Sequence, residues 1–191
     1  LLLVVYAIGW VGTAIYLINY AYLGLAAGVR RARYFAANAV AAGLLMVSSF
    51  ALGSWQSAFI NGFWLVVSVL ALRAVTLRVG KLSRIHLRAL VLVMLVSSLL
   101  FWLQDERQAV ALLGWSSACA FCGSYLLFSS HLLSADEFHL FNGYAATALL
   151  PQLWRDENWP VLALELCWLV LSVIAYSRHA RKGLGLPAEL E

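Results

Sequence analysis

Charge is what this chain has least of. Only 12% of its 191 residues are Asp, Glu, Lys or Arg and 63% are hydrophobic, with a mean hydropathy of +0.85; an ordinary globular domain holds about 25% and about 45–50%. So little polar surface does not cover a water-soluble fold, and the main solvent of the chain is lipid. Strict alternation of apolar and polar residues is missing too, which excludes a transmembrane β-barrel. So are HExxH, Gly-x-Ser-x-Gly, a P-loop and paired catalytic carboxylates, and no enzyme, catalytic residue or cofactor is expected. Cysteine is confined to Cys119, Cys122 and Cys167, all inside apolar runs. The Cys119-x-x-Cys122 spacing occurs in redox and zinc sites, but with no His or second pair beside it the two read as packing residues, and no metal site is expected. No cleavable signal peptide is legible, and Leu1 in place of a methionine points to a true N-terminus upstream.

What is present is a series of seven charge-poor runs: Val5 to Val29, Tyr34 to Leu52, Trp55 to Leu72, Leu87 to Leu103, Val110 to Ser130, Leu140 to Trp154 and Trp159 to Tyr176. A bilayer core needs roughly 20 apolar residues per helix, so the expected fold class is an all-α membrane protein with seven transmembrane helices. Arg30, Arg31 and Arg33 follow the first run, Arg73, Arg78, Lys81, Arg84 and Arg88 the third, and Arg178, Arg181 and Lys182 the seventh. With helices alternating in direction, eleven of the thirteen basic residues stand on one side, and Arg107 and Arg155 on the other. The positive-inside rule then sets the N-terminus outside and the C-terminus in the cytoplasm of an inner or plasma membrane. Trp10, Trp55, Trp102, Trp115, Trp154 and Trp159 fall at expected outer helix ends, as an interfacial belt does. The membrane accounts for the basic surface, so no nucleic-acid partner is expected.

The chain also repeats itself. At an offset of 105, Gly9-Trp10 pairs with Gly114-Trp115 and Tyr20 with Tyr125; at 104, Asn38 pairs with Asn142, Trp55 with Trp159 and Trp64 with Trp168. The stretches Trp64 to Ala71 and Trp168 to Ala175 share six of eight residues. This is a duplication. It divides the chain into a first triple-helix repeat (1–72), a basic inner loop and linker helix (73–107), a second triple-helix repeat (108–177) and a cytoplasmic tail (178–191), loose from Lys182 onward. Four crossings per period return the second repeat to the orientation of the first, so the repeats are parallel, in a 3+1+3 plan, with a binding site expected between them near the midplane. Ala37, Ala39, Ala41 and Gly43, and Gly143, Ala145 and Ala146, are small enough for close helix approach.

Glu165 is the one charged residue deep within a run. A carboxylate at midplane depth costs roughly 3 kcal/mol on insertion scales, so something must offset it, and such residues usually face a bundle interior or a wet cavity. Its equivalent in the first repeat is Asn61. Asn and Glu together suit hydroxyl, amide or cationic ligands. Asn61 and Glu165 are therefore the expected substrate-binding pair, with Glu165 coupling transport to a proton, pairing with a cationic solute, or acting as a neutral packing lock. Trp64 and Trp168, three residues further on, share a nearby helix face and serve either as stacking surfaces or as core. Asn38 and Asn142 read as helix caps or bridges, and Tyr20 and Tyr125 as an inner gate or inner interface. His131 and His139, flanking Asp136 and Glu137, read as solvated loop residues.

The Gly-Trp openings at Gly9-Trp10 and Gly114-Trp115, and the third helices, carry a resemblance to the SWEET sugar transporters. Pro160 lies five residues before Glu165 and Gln56 five before Asn61, which resembles that family's spacing from proline to pocket asparagine. One repeat resembles a SemiSWEET half, a PQ-loop-related unit, and also a small bacterial family of single triple-helix membrane domains. The resemblance implies a small-solute transporter or facilitator whose two bundles rock about a central site. The alternative is a non-transporting receptor, as the seven-helix plan also resembles the KDEL receptor, or a subunit or assembly factor of a membrane complex. Expected partners are the lipid bilayer, a small polar or cationic solute, and a second copy or a membrane-complex subunit.

Overall fold

The computed structural model describes residues 1–25, 31–75, 77 and 82–183, and of residues 23–25, 31, 175 and 178–183 the backbone alone. Among them stand seven helices and no strand: α1 (Leu2–Leu25), α2 (Arg31–Ala51), α3 (Trp55–Leu72), α4 (Arg84–Trp102), α5 (Glu106–Ser129), α6 (Ala135–Arg155) and α7 (Trp159–Gly183). Several helices start earlier than their apolar runs because polar residues cap them. Ser83 accepts from the His86 N–H at the start of α4, and Asp105 accepts from the Arg107 and Gln108 N–H groups at the start of α5. Ser134 and Glu137 form a reciprocal capping box on α6. Each cap satisfies donors that have no partner inside the helix, so Arg84, Glu106, Asp136 and Glu137 lie in first helical turns. At its far end α7 continues to Gly183, and residues 178–183 are helical where the sequence suggested a tail; 184–191 lie outside the described residues. So do Val29, Arg30, Arg78 and Lys81.

Five helices are long and apolar enough to cross a membrane among the described residues, α1 to α5, and α7 adds a shorter apolar stretch, Trp159–Ile174. The exception is α6. Its sequence carries Asn142, Thr147 and Gln152 along its length, and it packs between α5 and α7 with Ala145, Ala146, Leu149 and Leu153 fully buried. A helix shielded by protein does not need an apolar exterior on every face.

Six helices close a ring. α1 packs on α2, α2 on α3, α3 on α5, α5 on α6, α6 on α7 and α7 back on α1. α4 stands outside the ring against α5, burying only Leu87, Val91 and Ser98, and Ser98 Oγ donates to the Ala109 carbonyl at 2.8 Å. Sequential helices run antiparallel, so the C-terminal ends of α1, α3, α5 and α7 and the N-terminal ends of α2, α4 and α6 share one end. This is the basic end.

The duplication recurs as geometry. Gly9 on α1 lies where a Cβ would stand 2.6 Å from Ser48 Oγ and 2.8 Å from Pro160 Cγ; Gly114 on α5 lies against Gln152 and Gln56, the equivalents of those two residues at the 104 offset. The turns repeat as well. Ser54 N–H donates to Ser49 O at 2.9 Å and Asn158 N–H to Leu153 O at 2.9 Å, with Gly53 and Glu157 both at positive φ, 73° and 53°. Of the small residues read as contacts, Ala41, Ala145 and Ala146 are fully buried, joined by Ala42. Gly43 has nothing near it.

A cavity inside the helix ring

The six-helix ring surrounds a cavity of about 230 Å³, to which α4 contributes nothing. The walls come in equivalent pairs: Tyr16 with Phe121, Tyr34 with Phe138, Asn38 with Asn142, Ile60 with Leu164, Asn61 with Glu165, and Trp64 with Trp168. All four residues picked out from the sequence as substrate-binding are thus brought to one space. Four more wall residues, Tyr20, His139, Leu171 and Ser172, are not matched by their equivalents. Toward the basic end the wall reaches the last turns of α1 and the first turns of α2 and α6.

The opposite end is tied shut. Thr13 Oγ1 donates to the Pro160 carbonyl at 2.8 Å, joining α1 to α7. Asn158 Nδ2 donates to Ser49 Oγ at 3.0 Å, and Ser49 and Ser57 share a hydrogen bond of 2.9 Å. Tyr6 adds its hydroxyl to the Glu157 carbonyl at 3.0 Å. Gly9 and Gly12 let α1 approach closely at this level. The cavity therefore has a floor of close helix contacts, and from there its wall runs toward the basic end.

Inside, the two members of the polar pair are not alike. Asn61, 4% exposed, donates through Nδ2 to the Ser57 carbonyl one turn back at 2.9 Å. Glu165, also 4% exposed, has among the described residues no ion pair and, at its Oε2, no hydrogen-bond partner. The buried hydroxyl of Tyr16, another wall residue, is likewise without one. A buried polar atom without a partner costs about 1–3 kcal/mol, more if charged.

Two aromatic contacts repeat the pseudo-symmetry. Tyr20 meets Trp168 edge-on with centroids 5.1 Å apart, and Tyr125 meets Trp64 edge-on at 4.9 Å. Tyr20 is part of the wall; Tyr125 backs Trp64 from outside it. Asn38 is held by Asn19, whose Nδ2 donates to its Oδ1 at 2.8 Å, and Asn142 donates to the Phe138 carbonyl at 2.8 Å. Asn38 thus bridges α1 and α2, whereas Asn142 bonds within its own helix and neither caps nor bridges; both also line the cavity. Sequence reasoning did not single out Tyr16, Tyr34, Phe121 or Phe138, and it set His139 in a solvated loop. The signal lay in the repeat itself, since an aromatic residue stands at both equivalents of each tyrosine.

Outside the ring, in the first turn of α6, Glu137 joins α6 to α4 through Arg88, with Arg84 at 3.9 Å. The hydrogen bond from the Ser134 backbone N–H, helped by the Ser134 hydroxyl and the two arginines, holds the Glu137 carboxyl below the usual carboxylate range. Cys119, Cys122 and Cys167 are free and half-buried.

Comparison with known proteins bears on the duplication. One protein-family model matches the chain twice, over residues 5–79 and again over 110–183. The chain belongs to that family. It carries two copies of the family unit, and the region between the copies contains α4. The match carries no link to the SWEET proteins. No curated protein and no solved structure matches the chain.

Proposed function

We propose that the protein is a small-solute transporter or facilitator with its site between two parallel triple-helix repeats, 1–72 and 108–177. In this reading α4 is the linker of a 3+1+3 plan. The N-terminus is outside, the C-terminus is in the cytoplasm of an inner or plasma membrane, and the cavity opens inward. The observation that carries the reading is Glu165: a buried carboxyl without a partner, in a cavity ringed by six helices, on the equivalent of Asn61. Ionisable groups inside membrane bundles mark substrate or ion paths by default, and sites at repeat interfaces serve alternating access. The small-residue contacts around Gly9 and Gly114 then form the closure that opens when the halves rock. The likeness of this plan to SWEET and SemiSWEET proteins belongs to the same reading.

The test is uptake in proteoliposomes of a labelled panel of polyols, sugars, amines and carboxylates. At least one is expected to enter saturably above protein-free vesicles, with Glu165→Gln lowering uptake by about tenfold or more, a change of about 1.4 kcal/mol. Binding without flux for the whole panel would replace this reading with that of a receptor.

A further inference from the structure

The chemistry of the cavity wall narrows the solute, granting that the cavity is a solute site. Among the described residues Glu165 is the one acid on the wall, and no Lys or Arg lines it. Anions are therefore disfavoured, and a cation supplies what Glu165 Oε2 lacks. A buried charge is tolerated when it is paired.

The rest of the wall selects among cations. Hard metal ions take six or more oxygen ligands. Here the surroundings of Glu165 are dominated by rings, with Trp64, Trp168, Tyr16, Tyr20 and Phe121 all on the wall. Aromatic faces attract organic cations and tolerate their methyl groups. The two edge-on tyrosines fix the indole planes from behind or beside. Asn61 has donated an amide N–H to Ser57, Asn38 accepts from Asn19 and Asn142 donates to Phe138, so three of the polar side chains on the wall already hold bonds within the protein. The volume, about 230 Å³, equals about eight water volumes, room for an ammonium with a few carbon substituents.

We infer that the solute is a small organic monocation, an alkylammonium of about the size of choline, seated between the Glu165 carboxylate and the rings of Trp64 and Trp168.

Full-chain protein in nanodiscs, at fixed pH and salt, is titrated with choline, tetramethylammonium, the uncharged choline isostere 3,3-dimethylbutan-1-ol, sorbitol, acetate and potassium chloride, with calorimetry as the readout. Both ammonium ions are expected to bind at least about tenfold more tightly than the isostere, a step of about 1.4 kcal/mol. Glu165→Gln is expected to remove that preference, and Trp168→Leu to weaken choline more than Trp168→Phe does. Equal binding of choline and its isostere overturns the assignment, as does potassium binding that excludes choline. The comparison on wild-type protein stands even if a variant does not fold. Binding of sorbitol or acetate without the ammonium ions overturns the cation but keeps the solute site; binding of nothing in the panel overturns both.

Discussion

Gly9 and Gly114 occupy equivalent corners of the two halves, each where a first helix meets the second helix of its own half and the third helix of the other. Around Gly9 the neighbours are Ser48 and the rigid ring of Pro160; around Gly114 they are two glutamines, with the nearest atom 3.2 Å from an added Cβ against 2.6 Å at Gly9. Asn61 and Glu165 differ in the same way, one satisfied within its own helix and one left open. The halves thus share a frame, carried by backbone approach and aromatic edges. They diverge where the frame leaves side chains free. The first half supplies tyrosine hydroxyls to the cavity at 16 and 34, and the second supplies phenyl rings at the same places and the carboxyl.

The largest effect that breaks this likeness is steric. Gly9→Ala is expected to lower stability by about 2–3 kcal/mol, because the closed ring of Pro160 cannot turn aside, while Gly114→Ala costs less than about 1 kcal/mol as Gln56 shifts. Thermal unfolding of the two variants in the same detergent checks it, and equal losses would show that the corners are equally tight. Next comes the polar pair. Glu165→Leu is expected to stabilise the fold by about 1–2 kcal/mol while ending solute binding, whereas Asn61→Leu destabilises it by about 1 kcal/mol. A Glu165→Leu variant that melts lower than wild type would instead make the carboxyl a packing lock. The smallest effect lies at the start of α6, where Glu137 stands at the equivalent of Arg33. Because its carboxyl titrates lower in the folded protein than in the unfolded chain, its contribution is complete above the unfolded value and disappears as pH falls through the folded one. Glu137→Gln is expected to cost about 0.5–1 kcal/mol at neutral pH and nothing at the acid end, read from melting temperature against pH. No such acid-dependent step is expected at the start of α2, which has no acid in its first turn.

Much of the fold was legible because its causes are local or periodic. Seven apolar runs became seven helices, and the offsets of 105 and 104 that aligned Trp64 with Trp168 and Asn38 with Asn142 align wall residues of one cavity. Helix starts were less legible, since Ser83, Asp105 and Ser134 extend helices into charged segments that hydropathy alone leaves as loops. His139 was placed in a loop for the same reason; the capping box turns it inward by continuing α6 beneath it.

The apolar runs and the two offsets were enough to give a membrane-like composition, seven helices and the duplication, and to single out Glu165 as the charge that needs a reason. These follow from composition and spacing, which no packing arrangement changes. The tertiary structure alone decided that six helices close a ring with α4 outside it, that Asn61 bonds within its own helix while Glu165 finds no partner, and that the space around them is walled by aromatic rings. Those depend on which faces meet across the ring, at Gly9 against Pro160 and Gly114 against Gln56. Such contacts join residues far apart in the chain and have no periodicity to betray them.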